Sequence, residues 1–499
     1  MHAPPIRITA SLEPWPLHGA AASRQAEHAA LALHAPHALM EAAGLAVARL
    51  AAALAPHAEH VQVWAGPGNN GGDGLVAARH LHANGRTVQV SLLAEASALP
   101  ADAAEALAQA RAAGVPIVPG TEGAGPADLI IDALLGLGTR RAPSGELAKA
   151  IAAMNGAGKP VLAVDLPSGL HPDTGMPLGE HAVRAHATLA LLSLKPGCFT
   201  GHGRDHAGQV WFDSLGVDAG APGAWLTGAP TLPVPPHASH KGNQGDVVVV
   251  GGAPGMVGAA WLAARAALAA GAGRVYCSPL DGSTPLFDGQ QPALMGRRAW
   301  WTGSPAMLAA ATVACGCGGG DAVRTALPAL LSNVQRLLLD ADALNAIAGD
   351  SGLQQLLLQR AGRGRPTLLT PHPLEAARLL QRTSTQVQAD RVAAATEMAA
   401  RYDCTVLLKG SGTVIASPSA LPRINATGNA ALATAGSGDV LAGWAAGLWA
   451  QHAAMSALDI AAIAAWQHGR AADLWPAAAR GAPLRAHALV EVLGRHAFD

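Results

Sequence analysis

The sequence predicts an α/β protein made of two open, mostly parallel sheets in tandem, and three observations carry that reading. Short apolar strand-like runs alternate with Ala-rich helical segments from end to end, the pattern of repeated βαβ units. Gly-rich polar segments follow those runs, at the sheet edge where open α/β folds bind ligands. Midway, Val217 to Ser239 is dense in Pro, Gly and Ala and includes Leu232-Pro233-Val234-Pro235-Pro236. It breaks both periodicities, so it reads as a linker and places the domains at 1–225 and 226–499.

Composition narrows the function classes. The chain has 499 residues, a formal net charge of −1 and only 13% charged residues, which argues against nucleic acid or an anionic membrane as partner. Half the residues are hydrophobic, but Ala supplies much of that, with two Tyr and four Phe. The uncharged run Val440 to Leu458 holds Gly443, Gly447, Gln451 and His452 and reads as a buried helix, not a bilayer span. Five scattered cysteines, with only Cys315-Gly316-Cys317 close together, read as small core residues. The N-terminus lacks a charged-then-apolar leader pattern, so a cytoplasmic enzyme is expected.

In the first half, His37 to Leu54 reads as an amphipathic helix, with Leu39, Ala43, Ala46, Val47, Leu50 and Leu54 at helical spacing. Val61 to Ala65 is a strand, Gly66 to Gly74 a loop, Leu75 to Leu81 a helix and Thr87 to Leu93 the next strand. Gly66, Gly68 and Gly71 satisfy the G-x-G-x-x-G fingerprint, so hydride transfer is the first activity to weigh. Against it, the loop carries Asn69, Asn70 and Asp73, and a carboxylate there competes with a pyrophosphate for the amide donors. Such oxygens suit a hard cation or a polar ligand edge. Strands Leu129 to Asp132 and Val161 to Asp165 each end in Asp, before Gly136-Leu137-Gly138-Thr139-Arg140-Arg141 and Pro167-Ser168-Gly169-Leu170. Asn70, Asp132 and Ser168 could share a cation, leaving Asp165 as acid or base.

The second half contains no G-x-x-x-x-G-K-[S/T], so no P-loop holds a nucleotide. Strand-like runs lie at Asp246–Val250, Arg274–Ser278, Ala311–Ala314, Leu337–Leu339, Thr367–Thr370 and Thr405–Leu408. The last four end in Gly316-Cys317-Gly318-Gly319-Gly320, Asp340-Ala341-Asp342, Thr370-Pro371-His372-Pro373 and Lys409-Gly410-Ser411-Gly412-Thr413. Four polar ends on one edge point to a phosphate-handling cleft, with Lys409 to a phosphate and His372 to substrate. Gly436-Ser437-Gly438-Asp439 then opens a long apolar helix. Small residues let its first amides converge on an anion, and Asp439 stands beside them as a base for a hydroxyl attacking a phosphoryl group.

The first half resembles the NAD(P)H-hydrate epimerase family over about residues 20 to 218. The motifs are Asn69-Asn70-Gly71-Gly72-Asp73-Gly74, the Asp-ended strand before Gly136-Leu137-Gly138-Thr139, Val164-Asp165-Leu166-Pro167-Ser168-Gly169, and Leu194-Lys195-Pro196-Gly197 with Gly201-His202-Gly203-Arg204. The resemblance implies a Rossmann-like three-layer domain that epimerises the hydrated nicotinamide carbon, with Asp165 giving acid–base help. It implies that Asn69, Asn70, Gly71, Gly72, Asp73, the loop Gly136, Leu137, Gly138, Thr139, Arg140, Arg141 and Ala142, and Asp165 hold the damaged cofactor. A potassium ion is implied at Asn70, Asp132 and Ser168.

From about residue 230 onward the chain resembles the ADP-dependent NAD(P)H-hydrate dehydratases of the ribokinase-like fold. The motifs are His240-Lys241-Gly242, Gly255-Met256, Leu339-Asp340-Ala341-Asp342-Ala343-Leu344-Asn345, Thr370-Pro371-His372-Pro373, Lys409-Gly410-Ser411-Gly412-Thr413 and Gly436-Ser437-Gly438-Asp439. This implies ADP, with Mg²⁺, at Lys409, Gly410, Ser411, Gly412, Thr413 and Gly438, and the hydrate at Ala259, Gly318, His372 and Asp439. Cys317 and Gly319 depart from a glycine-proline loop, and Ala430, Ala431 and Ala435 replace a Pro and two Gly. Together the halves imply repair of NADHX and NADPHX: epimerisation of the R and S forms, then dehydration of the S form at the expense of ADP, giving NAD(P)H, AMP and phosphate. The rival readings are a small-alcohol, vitamin-type kinase with a regulatory Rossmann-like domain, and a non-catalytic nucleotide sensor. Only small-molecule partners are expected, and a homo-oligomer is left open.

Overall fold

The structure, a computed structural model, describes residues 4–8, 13–121, 125, 127–479 and 482–496. It divides into two compact units whose bulk is Trp15–Leu226 and Thr227–Asp499.

The first unit is built on a sheet whose neighbours run Ile6–Arg7, Gln209–Asp213, Ala187–Leu191, Val161–Val164, Leu129–Ala133, His60–Ala65, Thr87–Leu92, Ile117–Pro119. All pairs are parallel except Ile6–Arg7 with Gln209–Asp213. The period of two sorts each strand onto two cores: Val61, Val63 and Ile131 face one, and Trp64, Ile130 and Ala163 the other. Chain order reverses between His60–Ala65 and Leu129–Ala133, so the loops leaving those strands diverge and open a crevice. Two expectations need correction here. The helix after Ala65 begins at Asn69 and runs to Ala83, so Asn69 to Asp73 form its first turns and not a loop. The stretch from Val217 is not all linker, because Ala224–Leu226 forms a strand antiparallel to Trp15–Leu17.

The second unit repeats the plan. Its strands run Met295–Gly296, Arg274–Pro279, Asp246–Gly251, Thr312–Cys315, Arg336–Leu339, Thr367–Leu369 and Thr405–Leu408, all parallel, then Val414–Ser417 and Ala420–Ile424 antiparallel. Val247, Val249, Leu338 and Leu407 face one core, and Val248, Val250, Leu337 and Leu408 the other. The last two strands escape sequence patterning because Ser417, Pro422 and Arg423 break the apolar run.

The helix Ser437–Gln451 is buried from Val440 through Ala450, which explains its uniform apolarity. It lies against the helix Val257–Ala269, and a Cβ at Gly443 would come 1.9 Å from the Ala263 carbonyl oxygen, one at Gly447 2.6 Å from that of Ala267. Each contact steps four residues in both helices, so the two run parallel with their N-termini level. One turn earlier the same register sets Asp439 opposite Ala259. Among the described residues no single helix is long and apolar enough to cross a membrane. All five cysteines are free and buried.

Candidate active sites

The first cleft, of about 490 Å³, opens at the reversal point of the first sheet. Asn69, Asn70 and Asp73 line it from the helix start, Gly136, Leu137, Gly138 and Thr139 from the neighbouring strand end, and Asp165 from the next. Asp165 sits in the left-handed region at φ 65°, a conformation that turns the chain sharply off its strand. Its carboxylate accepts from the Leu191 amide at 3.1 Å and pairs with the ammonium of Lys195, which also donates to the Leu191 carbonyl at 2.7 Å. Lys195 is 1% exposed. A salt bridge so buried leaves one partner uncompensated if the other is removed.

The cleft is acidic. Burial drives the Asp73 carboxyl well above its usual range, and Asp165, Glu27 and Asp102 reinforce the shift. Glu27 is raised by burial and by Asp165. Asp73 and Glu27 are thereby held toward their neutral, proton-donating form. Arg140, Arg141 and Ala142 stand outside the lining and are exposed, and Gly71 and Gly72 are buried beneath it.

Asp132 and Ser168 lie below the cleft floor. Ser168 donates its hydroxyl to Asp132 Oδ1 at 2.6 Å and its amide to Oδ2 at 2.8 Å, while the Leu134 amide reaches Oδ1 at 3.2 Å. Burial raises the Asp132 carboxyl to about 6, against these hydrogen bonds. Among the described residues it forms no ion pair. Asn70 is 8% exposed and its Nδ2 has no hydrogen-bond partner.

In the second unit the cleft edge gathers at the ends of four parallel strands. Asp439 is in the first turn of Ser437–Gln451, whose N-cap Gly436 is left-handed at φ 86°. Ser437 already donates its amide to the Thr434 carbonyl at 3.3 Å, so one of the first amides expected to face an anion is engaged within the turn. Burial, then the charge of Asp340, raises the Asp439 carboxyl to about 6. Lys409 Nζ is 2.6 Å from Asp340 Oδ1, and a Cβ at Gly438 would lie 3.3 Å from that ammonium. A fixed cation therefore stands against the helix N-terminus.

Gly318 touches the Ala259 helix: a Cβ there would lie 2.9 Å from Ala259 Cβ. His372 has a capping duty that sequence reading did not give it. Its Nδ1 accepts from the amides of Leu374 and Glu375 at 3.0 and 3.3 Å, while the Glu375 side chain accepts from the His372 amide at 2.8 Å. An accepting Nδ1 leaves the proton on Nε2, which is 3.2 Å from Glu375 Oε1. Cys317, a departure from the family pattern, is buried with its sulfur 3.9 Å from Asp340 Oδ2; Cys317, Asp340 and Asp439 hold their ligand atoms within 4.8 Å of one another. Ala430 and Ala435 are exposed.

Sequence reading did not single out Arg24, Glu27 and Asp102, which line the first cleft, or the pairing of Lys195 with Asp165. Arg24 and Glu27 lie on the helix Ala20–Leu33, far from any glycine-rich signal. Lys195 lay in a recognised motif, but nothing local showed that it would meet Asp165, 30 residues away.

Two ligand clefts, each at the strand ends of its own open sheet and each with buried ionisable groups, define a two-domain α/β enzyme. Residues 36–197 match the YjeF-related protein N-terminus family and residues 247–494 the NAD(P)H-hydrate dehydratase family. The bifunctional NAD(P)H-hydrate repair enzyme Nnr of Coxiella burnetii is 35% identical over 452 residues, spanning 87% of this chain and 89% of that protein. Its Escherichia coli counterpart is 36% identical over 456 residues, spanning 87% and 84%. The ADP/ATP-dependent NAD(P)H-hydrate dehydratase of Bacillus subtilis, solved after co-crystallisation with ATP and Mg²⁺, is 31% identical, covers 53% of this chain and 93% of its own, and gives a TM-score of 0.46. The chain belongs to the bifunctional NAD(P)H-hydrate repair enzyme family. It is an isomerase and a lyase in one polypeptide.

Proposed function

We propose that residues 1–225 epimerise the R and S hydrates of NADH and NADPH at the cleft under Asn69–Asp73, and that residues 226–499 dehydrate the S hydrate with ADP at the start of Ser437–Gln451. The placement of Asp439 carries this reading: a carboxyl raised to about 6, in the first helical turn, with Lys409 against Gly438. Such a group accepts a proton near neutral pH while the amides and ammonium receive a phosphate.

In the first cleft, Asp165 and Lys195 form a proton-transfer pair at the hydrated carbon, and Asn70 Nδ2 offers an unspent donor to the substrate. A potassium ion fits Asn70, Asp132 and Ser168 by donor chemistry: amide, carboxylate and hydroxyl oxygens, with a buried carboxyl whose ionised form has no ion pair among the described residues. The ion would neutralise Asp132 and fix the strand end that leads into Gly136.

In the second cleft, Lys409, Gly410, Ser411, Gly412, Thr413 and Gly438 receive the ADP phosphates. Ala259, Gly318, His372 and Asp439 receive the hydrate, His372 through the Nε2 proton that its cap leaves free to redirect. Asp439 takes the hydroxyl proton as that oxygen attacks the β-phosphoryl group, and AMP departs. Phosphate then leaves the ring carbon with the push of the ring nitrogen, and loss of a proton from the adjacent carbon to solvent restores the double bond of the reduced nicotinamide. Mg²⁺ would screen the phosphoryl charge; the Cys317 thiol is a poor donor for so hard an ion, so the nucleotide's own oxygens and Asp340 Oδ2 would hold it. The cytoplasm, where these cofactors and ADP occur together, is the expected compartment.

The test is incubation of the purified chain with an R and S NADHX mixture, with and without ADP. Both epimers should disappear with ADP, at equal yields of reduced nicotinamide and AMP. Accumulation of a stable phosphorylated hydrate, or persistence of the R form, overturns the assignment.

A further inference from the structure

Arg391 opens the helix Arg391–Tyr402 and is only 1% exposed, so a guanidinium has been taken into the core next to the second cleft. Its Nη1 donates to Gln388 Oε1 at 2.5 Å, and its Nη2 to the carbonyls of Leu408 and Lys409 at 3.2 and 3.1 Å. Those carbonyls belong to the last strand residue and to the lysine that leaves the strand for the cleft. The next residue, Gly410, is at φ 140°, and a Cβ there would lie 2.8 Å from both terminal nitrogens of Arg391. Glycine is thus required both by the backbone angle and by the guanidinium packed against it. Burial lowers the Arg391 pKa only to about 10, so the charge persists.

We propose that Arg391 is the positioning residue of the Lys409–Thr413 turn, shaping it for the phosphates of a nucleoside diphosphate. Two carbonyl oxygens that would repel a phosphate are drawn onto a buried cation. The turn is pinned on its other side too, where Lys409 donates its amide to the Pro371 carbonyl at 2.9 Å and its ammonium meets Asp340 at 2.6 Å. Planarity matters: one guanidinium nitrogen spans consecutive carbonyls while the other is anchored to Gln388, which a lysine ammonium cannot reproduce. Arg391 itself touches no substrate. The inference rests on the assignment of Lys409 to Thr413 to the nucleotide.

The test uses the full chain and reads ADP binding directly by calorimetry, beside ADP-dependent dehydration and ADP-independent epimerisation. Arg391→Ala should weaken ADP binding by about tenfold or more, the scale of a lost hydrogen bond to a charged group. Epimerisation should be unchanged, and added guanidinium ion at millimolar concentration should recover much of the ADP affinity. Arg391→Lys keeps charge and bulk, so it decides the matter if the alanine variant does not fold, and it too should bind ADP about tenfold more weakly. ADP affinity within twofold of the parent in either folded variant overturns the proposal. So does a loss of dehydration that appears wholly in kcat with ADP affinity intact. Because binding is measured apart from turnover, failure of the dehydratase assignment would appear instead as a parent chain that binds ADP but converts no hydrate.

Discussion

Gly443→Ala would test whether the level pairing of two helices sets the second site. The added methyl carbon would begin 1.9 Å from the Ala263 carbonyl oxygen, against the 3.4 Å at which ordinary contact starts. The obstacle is backbone, so no side-chain rotation relieves it, and the helices Ser437–Gln451 and Val257–Ala269 must part by roughly 1 Å or more. Overpacking of this kind costs about 1–3 kcal/mol, a fall in Tm of several degrees for a unit this size. The functional loss should be larger than the stability loss implies. Gly443 is one turn from Asp439 and Ala263 one turn from Ala259, so the same displacement separates two groups assigned to the hydrate. A misplacement of about 1 Å can cost on the order of a hundredfold in rate. The assay is ADP-dependent recovery of NADH from S-NADHX, with R-to-S epimerisation as the internal control. A folded variant with parental dehydration and an unaltered melting profile would refute the reasoning that this contact holds Asp439 in place.

The other expectations are independent of that one. Lys195→Met should lower epimerisation by about a hundredfold and destabilise the first unit by about 3 kcal/mol, since it strands the Asp165 carboxylate; equal rates by an epimer-resolving chromatographic assay would remove Lys195 from the mechanism. Dehydration should fall about tenfold per pH unit below pH 6, because a protonated Asp439 cannot accept the hydroxyl proton. Asp439→Asn should abolish dehydration at every pH and leave epimerisation intact, and a residual acid limb in that variant would mean another group titrates. Exchange of potassium for tetramethylammonium should slow epimerisation reversibly, and Ser168→Ala should raise the potassium concentration needed for recovery by about tenfold; a rate indifferent to the cation would dismiss the proposed ion site.

How much of this was legible in the sequence depended on whether the signal was local. Strand runs such as Asp246–Gly251 announce themselves because a strand covered on both faces must be apolar at every position, and Gly436–Asp439 because a helix start at an anion site needs small residues in succession. The helix start at Asn69 was hidden, since Asn-Asn-Gly-Gly is a poor helix former and only the packing of the turn beneath the next strand end enforces it. Partnerships across the fold carried no signal at all. Lys195 with Asp165, Lys409 with Asp340 and Arg391 with the Leu408 carbonyl are set by strand order, which a single chain of letters does not print. His372 shows the reverse case: its place at a strand end pointed to substrate, and the structure also engages the imidazole in a capping box.

The buried thiols have a consequence for the conditions under which such an enzyme operates. Cys198, Cys277 and Cys315 are each pushed by burial to about 12, and Cys317 and Cys404 are raised too. A protein thiol reacts with peroxide or an alkylating agent through its thiolate and through open access to reagent, and these five lack both. Turnover should therefore be indifferent to reagents that act through thiols, and any loss of activity under peroxide would have to begin at another group, such as the thioether of the exposed Met256.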